Sequence, residues 1–238
     1  NDMKTPIKWR VLSVEGDDAF LLADKNLDVQ RYHDTYTDVT WETCTMRSWL
    51  NGYGAETNQP GEDFRTNNFL DYAFSAAEQS AIKATNVINN DNPEYSTEGG
   101  NNTSDKVYLL SIDEVTNPEY GFNSSWSDYA ESRRALNTAF AKEQGAWTST
   151  SQEYAGNGDW WLRSPGYDSY YASNVNRGGY VRTSGDDVDD RYYAARPALH
   201  LNLSSASSWS YAGTVTSEGG GSAISPPEPG ASVTPMPP

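Results

Sequence analysis

The residues best suited to chemistry gather between Pro165 and Arg196. This stretch holds Tyr167, Tyr170, Tyr171, Tyr180, Tyr192 and Tyr193, with Asp168, Asp186, Asp187, Asp189 and Asp190 among them. Ser169, Ser173, Asn174, Asn176, Arg177, Arg182 and Arg191 fill the gaps. Tyrosine offers a broad ring and a hydroxyl at small rotamer cost, and short polar residues adapt their hydrogen bonds to a partner. The chemistry this composition predicts is recognition. The predicted ligand-binding set is Tyr167, Asp168, Tyr170, Tyr171, Asn174, Asn176, Arg177, Tyr180, Arg182, Asp187, Asp189, Arg191 and Tyr192. The alternative is a polar surface hairpin, with Val175 and Val181 facing inward about Arg177-Gly178-Gly179.

Other chemistries find less material. Asp186-Asp187-Val188-Asp189-Asp190 could offer oxygens to calcium, yet it lacks the order of a calcium loop, and strand neighbours point to opposite faces. The competing reading is a solvated acidic turn paired with Arg177, Arg182 or Arg191. No cofactor is predicted. Cys44 is the sole cysteine, so no disulfide closes within the chain, and a buried inert thiol is expected. His33 and His200 are the only imidazoles. A glycosidase needs two carboxylates across a cleft, and no feature singles out a pair among 33 acids. Trp126, Trp147, Trp160, Trp161, Tyr170 and Tyr171 are candidates for a sugar-stacking platform, with those on strands also fitting a core.

The elements that must position these side chains read as strands at both ends with helices between, an α+β pattern. Ile7 to Val14 and Ala19 to Ala23 flank Gly16-Asp17-Asp18 as a hairpin. Thr40 to Leu50 reads as a helix stopped by Gly52, and Thr138 to Gln144 as another closed by Gly145. Ser75 and Glu78 form a capping box, and Ser111 to Glu114 opens a second capped turn after a strand over 106–112. Asp159 to Pro165 is an apolar strand ended by its proline, and Ala194 to Leu203 is the closing strand. Arg163 and Arg196 lie within these strands, where a buried guanidinium requires a carboxylate or several carbonyls.

Charge narrows the partners. The 238 residues carry 17 Lys and Arg against 33 Asp and Glu, a net charge of −16. Phosphate contact needs a basic surface, so no nucleic-acid partner is expected, and nothing suits docking on anionic lipid. No apolar run approaches the roughly 20 residues that span a bilayer. Hydrophobic residues make up only 36%, but 8 Trp and 16 Tyr bury enough area to fill a core. Residues 1–212 read as one domain. Residues 213–238, with three consecutive glycines followed by prolines, read as a flexible-then-stiff spacer.

Trp160-Trp161-Leu162-Arg163-Ser164-Pro165, the Tyr/Asn/Gly-rich stretch after it and the closing Arg196-Pro197-Ala198-Leu199 resemble an uncharacterised family of secreted domains from Gram-positive, often gut, bacteria. The segments Pro6 to Leu12, Phe74 to Gln79, Leu109 to Val115 and Arg134 to Gly145 resemble the same family, in order, over about residues 4 to 205. That family in turn is similar to the C-type lectin-like fold, in the branch of formylglycine-generating enzymes and the variable proteins of diversity-generating retroelements. The resemblance implies adjacent first and last strands, few short helices, long loops, and a ligand face just before the last strand. The lone Cys44 departs from the cysteine pair of the oxidases, and the calcium-lectin sugar motifs are absent. The expected function is therefore an extracellular or cell-surface recognition domain for a protein or glycan, without catalysis. The alternative is a carbohydrate-active or cell-wall enzyme using a carboxylate pair.

Overall fold

Two five-stranded sheets, mostly antiparallel, and a few short helices form the mixed α and β architecture expected from the sequence. The computed structural model describes residues 6–204, 213–215 and 221–223. Strand β1 (Trp9–Glu15) pairs with β2 (Asp18–Ala23) across a turn at Gly16 and Asp17, where Gly16 adopts φ +59°. A bulge leaves Leu12 without a partner in the ladder. The short strand β3 (Asp28–Val29) follows.

The helix expected over 40–50 is broken. Trp41–Thr43 form one 3-10 turn, Cys44 is extended, and α1 runs over Thr45–Asn51 to Gly52 at φ +68°. The break has a cause. The Trp41 indole turns inward to donate to the buried Asp105 carboxylate at 3.1 Å, and the Cys44 sulfur accepts the Arg47 amide as the cap of α1. Next come α2 (Phe69–Ala73) and α3 (Ala76–Ala81), the latter opened by the predicted Ser75–Glu78 capping box.

The middle of the chain supplies β4 (Ile82–Lys83), β5 (Thr85–Val87), β6 (Thr103–Asp105), β7 (Val107–Tyr108) and α4 (Ile112–Val115), with Ser111 and Glu114 closing the second capping box. The strand expected over 106–112 is shorter than predicted. Leu109 and Leu110 are buried but leave the ladder, because their carbonyls are taken by Arg163 Nη1 and the Arg163 amide at 2.8 and 2.9 Å. Helix α5 (Ala139–Glu143) starts on a Thr138 cap as expected.

The C-terminal third gives β8 (Trp160–Pro165), β9 (Tyr171–Val175), β10 (Val181–Asp187), β11 (Ala194–Ala195) and β12 (Ala198–Asn202). One sheet has the order β1-β2-β12-β4, with β7 also paired to β12; the other runs β10-β9-β8-β11-β3. The predicted closing strand is thus two strands in two sheets. Pro197 has no amide to donate, and the chain crosses at Arg196-Pro197. First and last strands are not direct neighbours either: β2 lies between β1 and β12. Strand β2 is buried from Ala19 to Ala23 and belongs inside the sheet, whereas β1 has mostly exposed or half-buried positions and takes the edge.

Strand β8 is buried along its whole length, with Trp160, Trp161 and Leu162 fully enclosed. Replacing either tryptophan by alanine would cost on the order of 4 kcal/mol. The two strand arginines find the partners their burial requires. Arg163 takes Glu114 plus the carbonyls of Leu109 and Ile88, and Arg196 takes the carbonyls of Ala23, Arg133 and Asp24 while lying 4.8 Å over the Trp160 ring. Of the predicted spacer, 213–215 and 221–223 pair as an antiparallel ladder, and its remaining residues lie outside the described ones.

Candidate functional site

The β8–β9 connection, residues 166–170, is held close to the sheet. The Gly166 amide donates to the Tyr171 carbonyl at 2.7 Å, and a Cβ on Gly166 would come within 2.5 Å of the Ser184 carbonyl oxygen. Only glycine fits that approach. The turn brings Tyr167, Tyr170 and Tyr171 together: Tyr171 lies 4.5 Å from Tyr167 and 4.9 Å from Tyr170, ring centre to ring centre.

Two distant loops extend the cluster. The Val39 amide donates to the Ser169 carbonyl at 3.0 Å, and this contact seats Tyr36 at 5.0 Å from Tyr170. On the other side Asn92, itself buried, donates its amide to the carbonyls of Pro165 and Thr183, both at 2.8 Å. The Asn92 side-chain oxygen accepts the amides of Glu94 and Tyr95, which sets Tyr95 at 6.3 Å from Tyr167. Five tyrosine rings therefore form one cluster. Tyr36, Tyr95 and Tyr167 are 52%, 44% and 45% exposed, an unusual state for large rings held by ordered contacts. A hydrogen bond with Tyr167, with lesser help from Asp168, pushes the Tyr170 phenol up to about 12; bonds with Tyr167 and Tyr36 push Tyr171 up as well. Both stay neutral at physiological pH, able to donate and accept.

Beside the cluster opens a cleft of about 570 Å³, lined in part by Asp38, Thr40, Thr43, Gln59, Glu98, Asp168 and Ser169. The Ser169 hydroxyl donates to Asp38 at 2.6 Å, which ties the cleft wall to the tyrosine turn. Its volume suits a small ligand or one or two peptide side chains.

The other predicted residues do not all join this surface. Strand β9 spans roughly 16 Å from Tyr171 to the turn after Val175, so the hairpin separates its two ends. Asp187 lies opposite Tyr171 in the ladder and is exposed at the cleft end. In mid-hairpin Asp186 accepts from Asn174 at 3.1 Å and is also gripped by Arg182 and Tyr193, with Arg182 donating to the Tyr193 hydroxyl at 3.0 Å. Asn174 is fully buried there. Asn176 is buried too, its oxygen accepting the amides of Gly178 and Tyr180 to build the turn. Asn176 thus satisfies the backbone of its own turn, whereas the Asn174 amide serves the Asp186 carboxylate.

At the far turn, Arg177 lies 5.1 Å over Trp147, Tyr180 packs 5.6 Å from Tyr129, and the Trp147 amide donates to the Tyr192 carbonyl. Trp147 and Tyr192 are exposed there, and Arg191 is exposed with Asp189 half-buried. Val175 and Val181 face inward, as the hairpin reading expected. The stacking platform predicted from six aromatics is dispersed: Trp160 and Trp161 are core, Trp126 is partly buried, and Trp147 sits at the turn end, away from Tyr170 and Tyr171.

Sequence reasoning missed Tyr36, Tyr95, Asp38 and Glu98. The one available signal was a lone tyrosine within each of two polar loops, His33 to Asp38 and Asn92 to Gly99. Cys44 matches its expectation: it is buried, and that burial pushes its thiol up to about 12. Among the described residues no group of three His, Cys, Asp or Glu side chains converges as a metal site.

A family model described as Domain of unknown function (DUF6273) matches residues 16–203, most of the chain. No curated protein and no solved structure matches it.

Proposed function

We propose that this chain, which belongs to the DUF6273 domain family, is a recognition domain that captures a protein or glycan outside the cell and performs no catalysis. One observation carries the reading: five tyrosine rings fixed by buried and backbone contacts stand half in solvent at the rim of an open cleft. Rings so held lose little entropy on binding, which is how aromatic hot spots gain affinity. The fold we assign is C-type lectin-like, on the strength of the motifs from Pro6 to Leu199. The turn from Tyr167 to Tyr171 belongs to the stretch before the last strand, where that resemblance implies a ligand face, and this supports the reading.

The alternative, a carboxylate-pair enzyme, calls for an acid with raised pKa facing the cleft. The aspartates raised by burial are Asp28, Asp34, Asp159 and Asp190, and none of them lines it.

An array of surface proteins and glycans, run with and without calcium, tests the reading. The variant with Tyr36→Ala, Tyr170→Ala and Tyr171→Ala should lose capture of the ligand found while unfolding at an unchanged temperature. Unchanged affinity in that variant, or turnover of a glycan or peptidoglycan substrate, overturns the proposal.

A further inference from the structure

The charged side chains lining the cleft all have one sign. Asp38, Glu98 and Asp168 contribute carboxylates, and no Lys, Arg or His lines it. Among the described residues none of the three forms an ion pair with a basic side chain. Their described partners all come from Ser169: its hydroxyl donates to Asp38 and Asp168, and its amide donates to Asp168. Asp168 and Ser169 run directly into Tyr170, so the anionic wall and the ring cluster share one turn.

We infer that the cleft and its tyrosine rim take a basic peptide segment, with a lysine or arginine side chain entering between the carboxylates and the rings. The inference rests on the recognition reading and narrows it. A neutral ligand would shield three carboxylates from water without compensating them, an unfavourable exchange. A cationic side chain neutralises them, and its alkyl stem or guanidinium face lies on tyrosine, whose ring face attracts a cation. An anionic ligand is repelled, both locally and by a chain of net charge −16. A bare divalent ion does not fit, since the acids do not converge as ligands.

The probe is a fluorescein-labelled octapeptide alternating glycine and lysine, compared with glutamate and serine counterparts and with neutral hexasaccharides of glucose and N-acetylglucosamine. Anisotropy is read between about 20 and 300 mM salt. The lysine peptide should bind and weaken with salt, and the others should not bind. The variant Asp38→Asn, Glu98→Gln, Asp168→Asn should lose about tenfold or more in affinity. A control carrying Glu119→Gln, Glu131→Gln and Glu143→Gln removes the same charge from other exposed positions and should change affinity less than about twofold. Glu98→Gln alone, which breaks no described side-chain contact on the cleft wall, gives the same direction if the triple variant folds poorly.

Equal weakening in cleft and control variants, no binding of the lysine peptide, or tighter binding of a neutral saccharide overturns the inference. If an array ligand still depends on Tyr36, Tyr170 and Tyr171, the recognition reading survives that failure.

Discussion

Glu114 holds the Arg163 guanidinium with both carboxylate oxygens, the Nη2–Oε1 contact being 3.1 Å, while one of those oxygens also accepts the Ser111 amide that opens α4. One carboxylate thus caps a helix and neutralises a cation buried in β8. Burial works against the Arg163 charge, but Glu114 outweighs it and the guanidinium is held above its ordinary pKa.

Glu114→Gln should therefore destabilise the domain by about 3 kcal/mol, lowering Tm by roughly 6–12 °C, because the charge of Arg163 remains buried without its partner. Thermal unfolding followed by circular dichroism checks this. An unchanged Tm would mean that the carbonyls of Leu109 and Ile88 suffice for the guanidinium.

Asn92→Ala should cost on the order of 2 kcal/mol, since the carbonyls of Pro165 and Thr183 would be left to share the single Ser173 hydroxyl hydrogen. It should also release Tyr95 from Tyr167. Hydrogen exchange at the amides of Glu94 and Tyr95 should accelerate more than exchange in β1 or β2, which marks the effect as local.

Gly179 sits at φ +86°, and a Cβ there would lie 1.9 Å from the Ala130 carbonyl oxygen. Its own carbonyl accepts Arg133 Nε at 2.7 Å, so neither chain can yield. Gly179→Ala should cost more than about 3 kcal/mol in urea unfolding, well beyond the usual penalty for glycine replacement.

His33 is fully buried, accepts the Thr45 amide at 3.3 Å on Nδ1, and is pulled down to about 4 by burial. The unfolded chain binds this proton near pH 6.5 and the folded chain only near 4, so its stabilising effect is intact above about 6.5 and is lost as pH falls through 4. The loss amounts to at most about 3 kcal/mol. Asp28, raised to about 6 by burial, contributes in the opposite sense, its stabilising effect fading as pH rises through 6. The difference between the protein and His33→Asn, measured by urea unfolding from pH 7 to 4, cancels Asp28 and should shrink steadily on acidification. A constant difference would show that His33 titrates alike in both states.

Local patterns were the readable part of this chain. Ser75 with Glu78 and Ser111 with Glu114 announce their helix starts at fixed spacing, and Gly16 announces its hairpin. The burial of Arg163 and Arg196 was legible because apolar neighbours surround each of them in sequence. The cleft was not, because its wall comes from residues near 38, 59, 98 and 168, brought together only by pairing across the fold. The burial of Asn174 and Asn176 was not legible for a related reason. An asparagine that closes a turn and one that meets a ligand have the same composition, and only burial separates them. The closing strand was read as continuous because its apolar run hides the crossing at Pro197.

The sole thiol of this chain is sealed beneath α1 as its cap and carries a proton at any ordinary pH. Folded protein should thus ignore maleimides, and a cysteine placed beside the rim, at the exposed Thr37 for instance, would be labelled alone. The molecule is in that sense already prepared for site-directed cross-linking, by which an unknown partner could be trapped where it lands.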